Sequence, residues 1–166
     1  MNNIVLIGMP GSGKSTVGVL LAKMLGYDFI DSDLLIQKRE GKRLFEILDD
    51  NGTDYFLELE KDVNCGISCE NTVIATGGSA VYGKAAMEHF KDIGKIVYIK
   101  VPLCELEKRV NNFSTRGVVM KNGSTLKDIF EERAPLYEKY ADITVELGNG
   151  SLTDSAEEII KALKNA

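Results

Sequence analysis

The amino-acid sequence predicts an α/β fold, a mostly parallel sheet with helices on both faces, in a chain of 166 residues. Three observations predict it. Short, solid apolar runs alternate with segments of helical period, as expected of strands buried on both faces and joined by helical crossovers. A Gly-rich turn, "GMPGSGKST" from Gly8 to Thr16, separates the first such run from the first helical stretch. Two more segments, "DSD" and "TGGSA", also follow apolar runs, the end of a parallel strand at which such sheets bind ligands.

The elements follow in order. "NIVLIG" reads as the first strand. Val17, Leu20, Leu21, Met24 and Leu25 then recur at helical spacing, and Gly26 stops that helix. "YDFID" is the second strand and "SDLLIQKREG" a helix with a polar start and a Gly end. A further helix is expected from about Thr53 to Asn64, with Phe56, Leu59 and Val63 on one stripe. "NTVIATGG" and "KIVYIKV" are the third and fourth strands, and "CELEKRV" turns helical after Pro102. "DITVEL" is the fifth strand, and the last helix begins near "SLTDSAEEIIKAL" with Ser151 or Thr153 as cap. Between Val110 and Thr125 the periodicity fails, as in a functional loop or lid.

Composition narrows the function classes. The chain is 44% hydrophobic and 27% charged with a net charge of -5. That balance gives no general attraction for nucleic acid or anionic lipid, so a bound phosphate must meet a local site. No apolar run reaches the roughly 20 residues of a membrane span, and no signal segment opens the chain. Cys65, Cys69 and Cys104 have no zinc spacing with the single His89 and read as reduced thiols. The expectation is one domain, residues 1–166, acting in the cytoplasm, with no nucleic-acid or membrane partner, and a monomer.

The Gly-rich turn carries the first chemistry. Gly8, Gly13, Lys14 and Ser15 fit G-x-x-x-x-G-K-[ST] between a strand and a helix. Glycines let successive amides point at a phosphate, and the helix N-terminus adds its dipole. Lys14 brings a full charge to the outer phosphates, and the Ser15 hydroxyl suits Mg²⁺. Gly11, Ser12, Gly13, Lys14, Ser15 and Thr16 are the candidate residues for a nucleoside triphosphate with Mg²⁺.

Asp31 and Asp33 flank Ser32 at the end of the second strand. Either residue suits a helix cap. Alternatively, one joins the Mg²⁺ shell and the other accepts the proton of an attacking hydroxyl. "TGGS", Gly77 and Gly78 included, is a weak signal by itself, a plain turn or a second loop beside the first. Arg116 lies in the lid segment, either solvated or placed to close over a transferring phosphate. Arg133 precedes Pro135 near the end of a helical stretch, where an ordinary i,i+4 pair with a glutamate is the simple reading.

Taken together, "GMPGSGKST", "FIDSD", "YFLELE", "IATGGSAV", "STRGVV" and "ERAPLYEKYAD" resemble the shikimate kinase family nearly end to end. The resemblance implies a three-layer α/β/α fold with a five-stranded parallel sheet in the order 2-3-1-4-5. It implies an acceptor-binding region at about 33–62 and a lid at about 110–124. It also implies transfer of the ATP γ-phosphate to a ring hydroxyl of shikimate. On this resemblance Lys14, Asp33 and Arg116 are the catalytic candidates, with Asp33 holding the acceptor hydroxyls and serving as base. Asp31 and Ser15 lie at Mg²⁺, Gly77 and Gly78 offer backbone contacts to the acceptor, Arg133 pairs with its carboxylate, and Arg109 lies against adenine.

Three residues depart from the family pattern. Leu57 replaces the arginine of "F-R-x-x-E", while Glu60 keeps the glutamate. A leucine cannot form a bidentate carboxylate pair, and Lys61, one turn on, is the nearest substitute charge. Ser79 replaces the third glycine of "GGG", where its side chain either crowds the pocket or contributes a hydroxyl, and Gly117 replaces the proline of the lid, which is expected to loosen it. These departures admit a same-fold kinase for another hydroxylated metabolite. A nucleotide-binding module without transfer activity is the reading from another class.

Overall fold

The inner strands are apolar throughout most of their length because they have no solvent face to present. In the computed structural model, which describes residues 2–109, 117–148 and 150–166, β1 (Asn3–Ile7) and β3 (Thr72–Ala75) are buried along their whole length. The polar exception in β1 is satisfied internally. The Asn3 amide donates to the carbonyls of Cys69 at 2.8 Å and Ile93 at 3.0 Å, and its oxygen accepts the Thr72 N–H at 3.0 Å. With β2 (Asp28–Asp31), β4 (Gly94–Lys100) and β5 (Ile143–Glu146) these strands form one parallel sheet in the order β2-β3-β1-β4-β5.

Helices cover both faces: α1 (Lys14–Leu25), α2 (Ser32–Glu40), α3 (Leu44–Cys65), α4 (Lys84–Ile93), α5 (Leu103–Arg109), α6 (Leu126–Tyr140) and α7 (Leu152–Lys164). Helix α1 ends at Gly26 and α2 at Gly41, both left-handed, and Ser151 caps α7 by accepting the Asp154 N–H at 3.1 Å. No helix among the described residues is long and apolar enough to cross a membrane.

Three elements differ from the sequence expectation. Helix α3 begins at Leu44 rather than near Thr53, because a bend at Gly52 (φ 81°, ψ 174°) joins two helical pieces. Helix α4 was not expected, yet its buried Ala86, Met87, Phe90 and Ile93 follow helical spacing. Helix α6 runs through Pro135, which leaves Arg133 in its middle rather than near its end.

Register places the site. Asp31 pairs with Ala75, and Ala75 with Leu6. The carboxyl ends of β2, β3 and β1 are therefore level, and the loops that leave them meet at one edge of the sheet. The main core surrounds the sheet. A second, smaller cluster of Ile36, Leu44, Ile47, Phe56, Leu59 and Val119 sits beyond that edge, under α2 and α3.

Candidate active site

The loop after β1 folds around its own lysine. Lys14 is 7% exposed, and its Nζ donates to the carbonyls of Gly8 at 2.8 Å and Met9 at 2.9 Å, and to Ser12 Oγ at 3.3 Å. Gly13 (φ 89°) starts α1 from the left-handed region, which turns the first helical amides toward the loop's hollow. Burial pulls the Lys14 ammonium down to about 8, and the charge of Asp33 opposes that shift.

Asp31 and Asp33 take separate places. Asp31 is the N-cap of α2, its Oδ1 accepting the Asp33 N–H at 3.0 Å. Its Oδ2 accepts the Ser15 hydroxyl at 2.6 Å, which joins the second strand to the first turn of α1. Capping and the contact with Ser15 thus coexist in one carboxylate. An alcohol and a carboxylate oxygen beside an amide-lined loop form a hard-oxygen donor set that suits Mg²⁺, which keeps few protein ligands. Among the described residues no cluster of three His, Cys, Asp or Glu side chains competes for a metal.

Asp33 turns away from that pair toward Gly77. A methyl group on Gly77 would lie 2.8 Å from Asp33 Oδ1 and 2.5 Å from Glu60 Oε1. Two carboxyl groups therefore converge over a residue that must lack a side chain. Burial, then the charge of Asp31, raises Asp33 to about 6. Glu60 is 2% exposed, its Oε2 accepts the Ser79 hydroxyl at 2.6 Å, and its Oε1 has no partner among the described residues. Burial raises Glu60 to about 8 against the opposing Ser79 bond, with the Asp33 charge adding to the rise. A carboxyl group in that state is neutral at pH 7. Ser79 does not crowd the loop; its hydroxyl anchors Glu60.

Arg133 is not paired with a glutamate on its own helix. It is 2% exposed, its Nε donates to the Tyr82 hydroxyl oxygen at 3.2 Å, and its Nη2 donates to the Val119 carbonyl. Its guanidinium also lies 5.3 Å from the centre of the Tyr82 ring. Tyr137, one turn on, donates to the Gly78 carbonyl at 2.6 Å and so ties α6 to the loop after β3.

These groups surround one cleft of about 550 Å³. Gly11, Gly13, Lys14, Ser15, Thr16 and Arg109 line its phosphate-loop end. Asp33, Gly77, Gly78 and Arg133 line it as well, together with the apolar Leu44 and Phe56. Ser12 lies beneath the loop, 3% exposed, and Asp31 stands behind Ser15. Arg109 donates to the Gly148 carbonyl at 2.9 Å. Arg116 lies outside the described residues. Leu57 packs against the small cluster, and the Lys61 ammonium is paired with Glu58.

An acceptor pocket continuous with a nucleotide loop is shared by several kinase families, so sequence relatives decide among them. The shikimate kinase family model matches residues 10–164. The chain belongs to the shikimate kinase family. It is 44% identical over 169 residues to a shikimate kinase of Clostridium botulinum, covering 99% of this chain and 97% of the relative. It is 35% identical to that of Persephonella marina, covering 99% of this chain and all of the relative. Among solved structures it is similar to the shikimate kinase of Acinetobacter baumannii in complex with shikimate, with TM-score 0.92, 32% identity, and 99% and 94% of the two chains covered. The Aquifex aeolicus shikimate kinase gives TM-score 0.85 at 36% identity, covering 98% and 96%. As a member of this family the chain is a small-molecule kinase that uses ATP and Mg²⁺.

Glu60 is the site residue that the sequence leaves without a role. The signal was present. It falls four residues after Phe56, on the stripe that α3 buries, where an ionisable side chain is out of place.

Proposed function

We propose that this chain transfers the γ-phosphoryl group of ATP to a ring hydroxyl of shikimate, yielding shikimate 3-phosphate and ADP, as a monomer in the cytoplasm. The observation that carries the proposal is the single cleft in which a phosphate loop, a carboxylate and a buried guanidinium meet. The monomer reading is supported by the fact that one chain supplies all of these groups.

In this reading Gly11 to Thr16 hold the triphosphate through backbone amides, and Lys14 moves from its loop carbonyls to the outer phosphates. Ser15 and Asp31 would hold Mg²⁺, which when bound would offset the charge of the phosphates. Asp33 orients the acceptor and takes the hydroxyl proton as the new O–P bond forms and the bond to the β-phosphate oxygen breaks. Gly77, lacking a side chain, lets Asp33 and Glu60 close over the loop after β3, and Gly78 offers its backbone to the acceptor. Arg133, fixed by Tyr82 and Val119, takes an edge of the acceptor carboxylate. Arg109 lies at the nucleotide base, and Arg116 is assigned to the transferring phosphate.

The test is ADP release by purified protein with Mg-ATP and millimolar shikimate. Release that depends on shikimate is the expected result. None above the rate without acceptor overturns the assignment.

A further inference from the structure

We infer that Arg43 is the second guanidinium for the acceptor carboxylate and completes, with Arg133, a two-sided clamp in this chain. The inference rests on the shikimate reading above and concerns which residues of this chain hold its carboxylate. A carboxylate offers about four acceptor positions. Arg133 has already spent Nε on Tyr82 and Nη2 on Val119, so it cannot satisfy the acceptor alone. Lys61 does not line the cleft and its ammonium is turned to Glu58, and Leu57 packs against the apolar cluster.

Arg43 is placed and free to act. It immediately precedes α3 and lines the same cleft as Asp33 and Arg133. Its guanidinium makes no hydrogen bond or ion pair among the described residues. The other two cations that line the cleft are engaged elsewhere, Lys14 with its loop and Arg109 with Gly148.

The position of Arg43 relative to Arg133 follows from a shared neighbour. The next residue, Leu44, clusters with Phe56 and Val119, and the backbone of Leu44 and Phe45 meets Gly117. Arg133 binds the carbonyl of that same Val119. The segment 117–119 thus adjoins both arginines at the acceptor end. Helix capping does not account for an arginine at this position. A guanidinium has no acceptor for the first helical amides, and residue 43 enters the cap only through its N–H, which donates to Glu46 Oε2 at 2.7 Å.

Arg43→Ser tests the clamp without threatening the fold, since serine is the better cap. Losing one charged partner is expected to raise KM for shikimate about ten- to a hundredfold. The kcat and KM for Mg-ATP are expected to stay within about threefold, as for a lost uniform binding contact. Arg43→Lys is expected to recover part of the loss. With shikimate methyl ester, which lacks the carboxylate charge, wild type and Arg43→Ser are expected to converge. A shikimate KM within twofold of wild type overturns the clamp, and so does an equal rise for the ester or a rise in the Mg-ATP KM instead. A wild type that does not turn over shikimate at all is a separate result, and it overturns the acceptor assignment itself.

Discussion

At the scale of single residues, the site is defined by two buried carboxyl groups that burial holds at different values, Asp33 at about 6 and Glu60 at about 8. Asp33 and Glu60 approach the same point over Gly77, and Glu60 is the more deeply buried, so Glu60 keeps its proton to about 8. This makes a pH prediction with a definite sign. In the unfolded chain Glu60 ionises near its ordinary value of 4.5. Between about pH 5 and 7 the folded state then holds one proton more than the unfolded state, and stability falls as pH rises, by about 1.4 kcal/mol per pH unit from this group. The contribution is complete below about 4.5 and lost as pH rises through about 8. Glu60→Gln fixes the neutral form, so urea unfolding at pH 5.5, 6.5 and 7.5 is expected to show a flatter slope than wild type. An unchanged slope means that Glu60 is ionised in the fold. Asp33 makes the complementary prediction for activity. Asp33→Asn keeps the shape and removes the base, with an expected loss in kcat of about 10²- to 10⁴-fold in acceptor-dependent ADP formation. A loss below tenfold would move the proton to another acceptor.

At the scale of elements, the start of α3 and the lid segment from Gly117 onward form one unit. Gly117 (φ 65°) lies so close to α3 that an added methyl would be 2.8 Å from the Leu44 carbonyl carbon and 2.8 Å from the Phe45 nitrogen. Its glycine therefore seats the segment on α3 rather than loosening it. Gly117→Ala is expected to cost about 1–3 kcal/mol in urea unfolding, from left-handed strain plus the clash. A cost near zero would show that the segment swings away freely. The same stretch explains what the sequence left hidden in this region. The helix is expected only from about Thr53, yet Leu44 to Asn51, on the far side of the bend at Gly52, are also helical and bring Leu44 into the small cluster. Helix α4 carried a readable stripe at Ala86, Met87, Phe90 and Ile93. Pro135 misled in the other direction, since a helix tolerates a proline where the lost amide bond is offset by packing, and α6 is held by Tyr137 and the buried Arg133.

At the scale of the whole molecule, legibility follows sequence distance. The phosphate loop is contiguous, so its glycines, Lys14 and Ser15 can be read in one line, and alternating apolar runs give the parallel sheet. The acceptor end is assembled from Asp33, Arg43, Glu60, Ser79, Val119 and Arg133, which only the level ends of β1, β2 and β3 and the packing of α3 and α6 bring together. No local pattern announces that Glu60 meets Ser79 or that Arg133 meets Val119. The nucleotide end also sets the last prediction. Lys14 is held in the loop at 7% exposure by carbonyl oxygens that a bound phosphate would replace as partners. A ligand that binds only the folded chain stabilises it by about 2.7 kcal/mol at a hundred times its Kd. For a chain of this size each kcal/mol raises Tm by about 2–4 °C, so saturating Mg-ATP is expected to raise Tm by about 5–10 °C. Lys14→Met removes the cation but also relieves a buried charge, so its unliganded Tm is expected to stay within a few degrees of wild type while the Mg-ATP shift disappears. Chelation of Mg²⁺ with EDTA is expected to shrink the wild-type shift, because Ser15 and Asp31 would then hold no ion to offset the charge of the triphosphate. A full shift in Lys14→Met would place the triphosphate somewhere other than the loop that encloses this lysine.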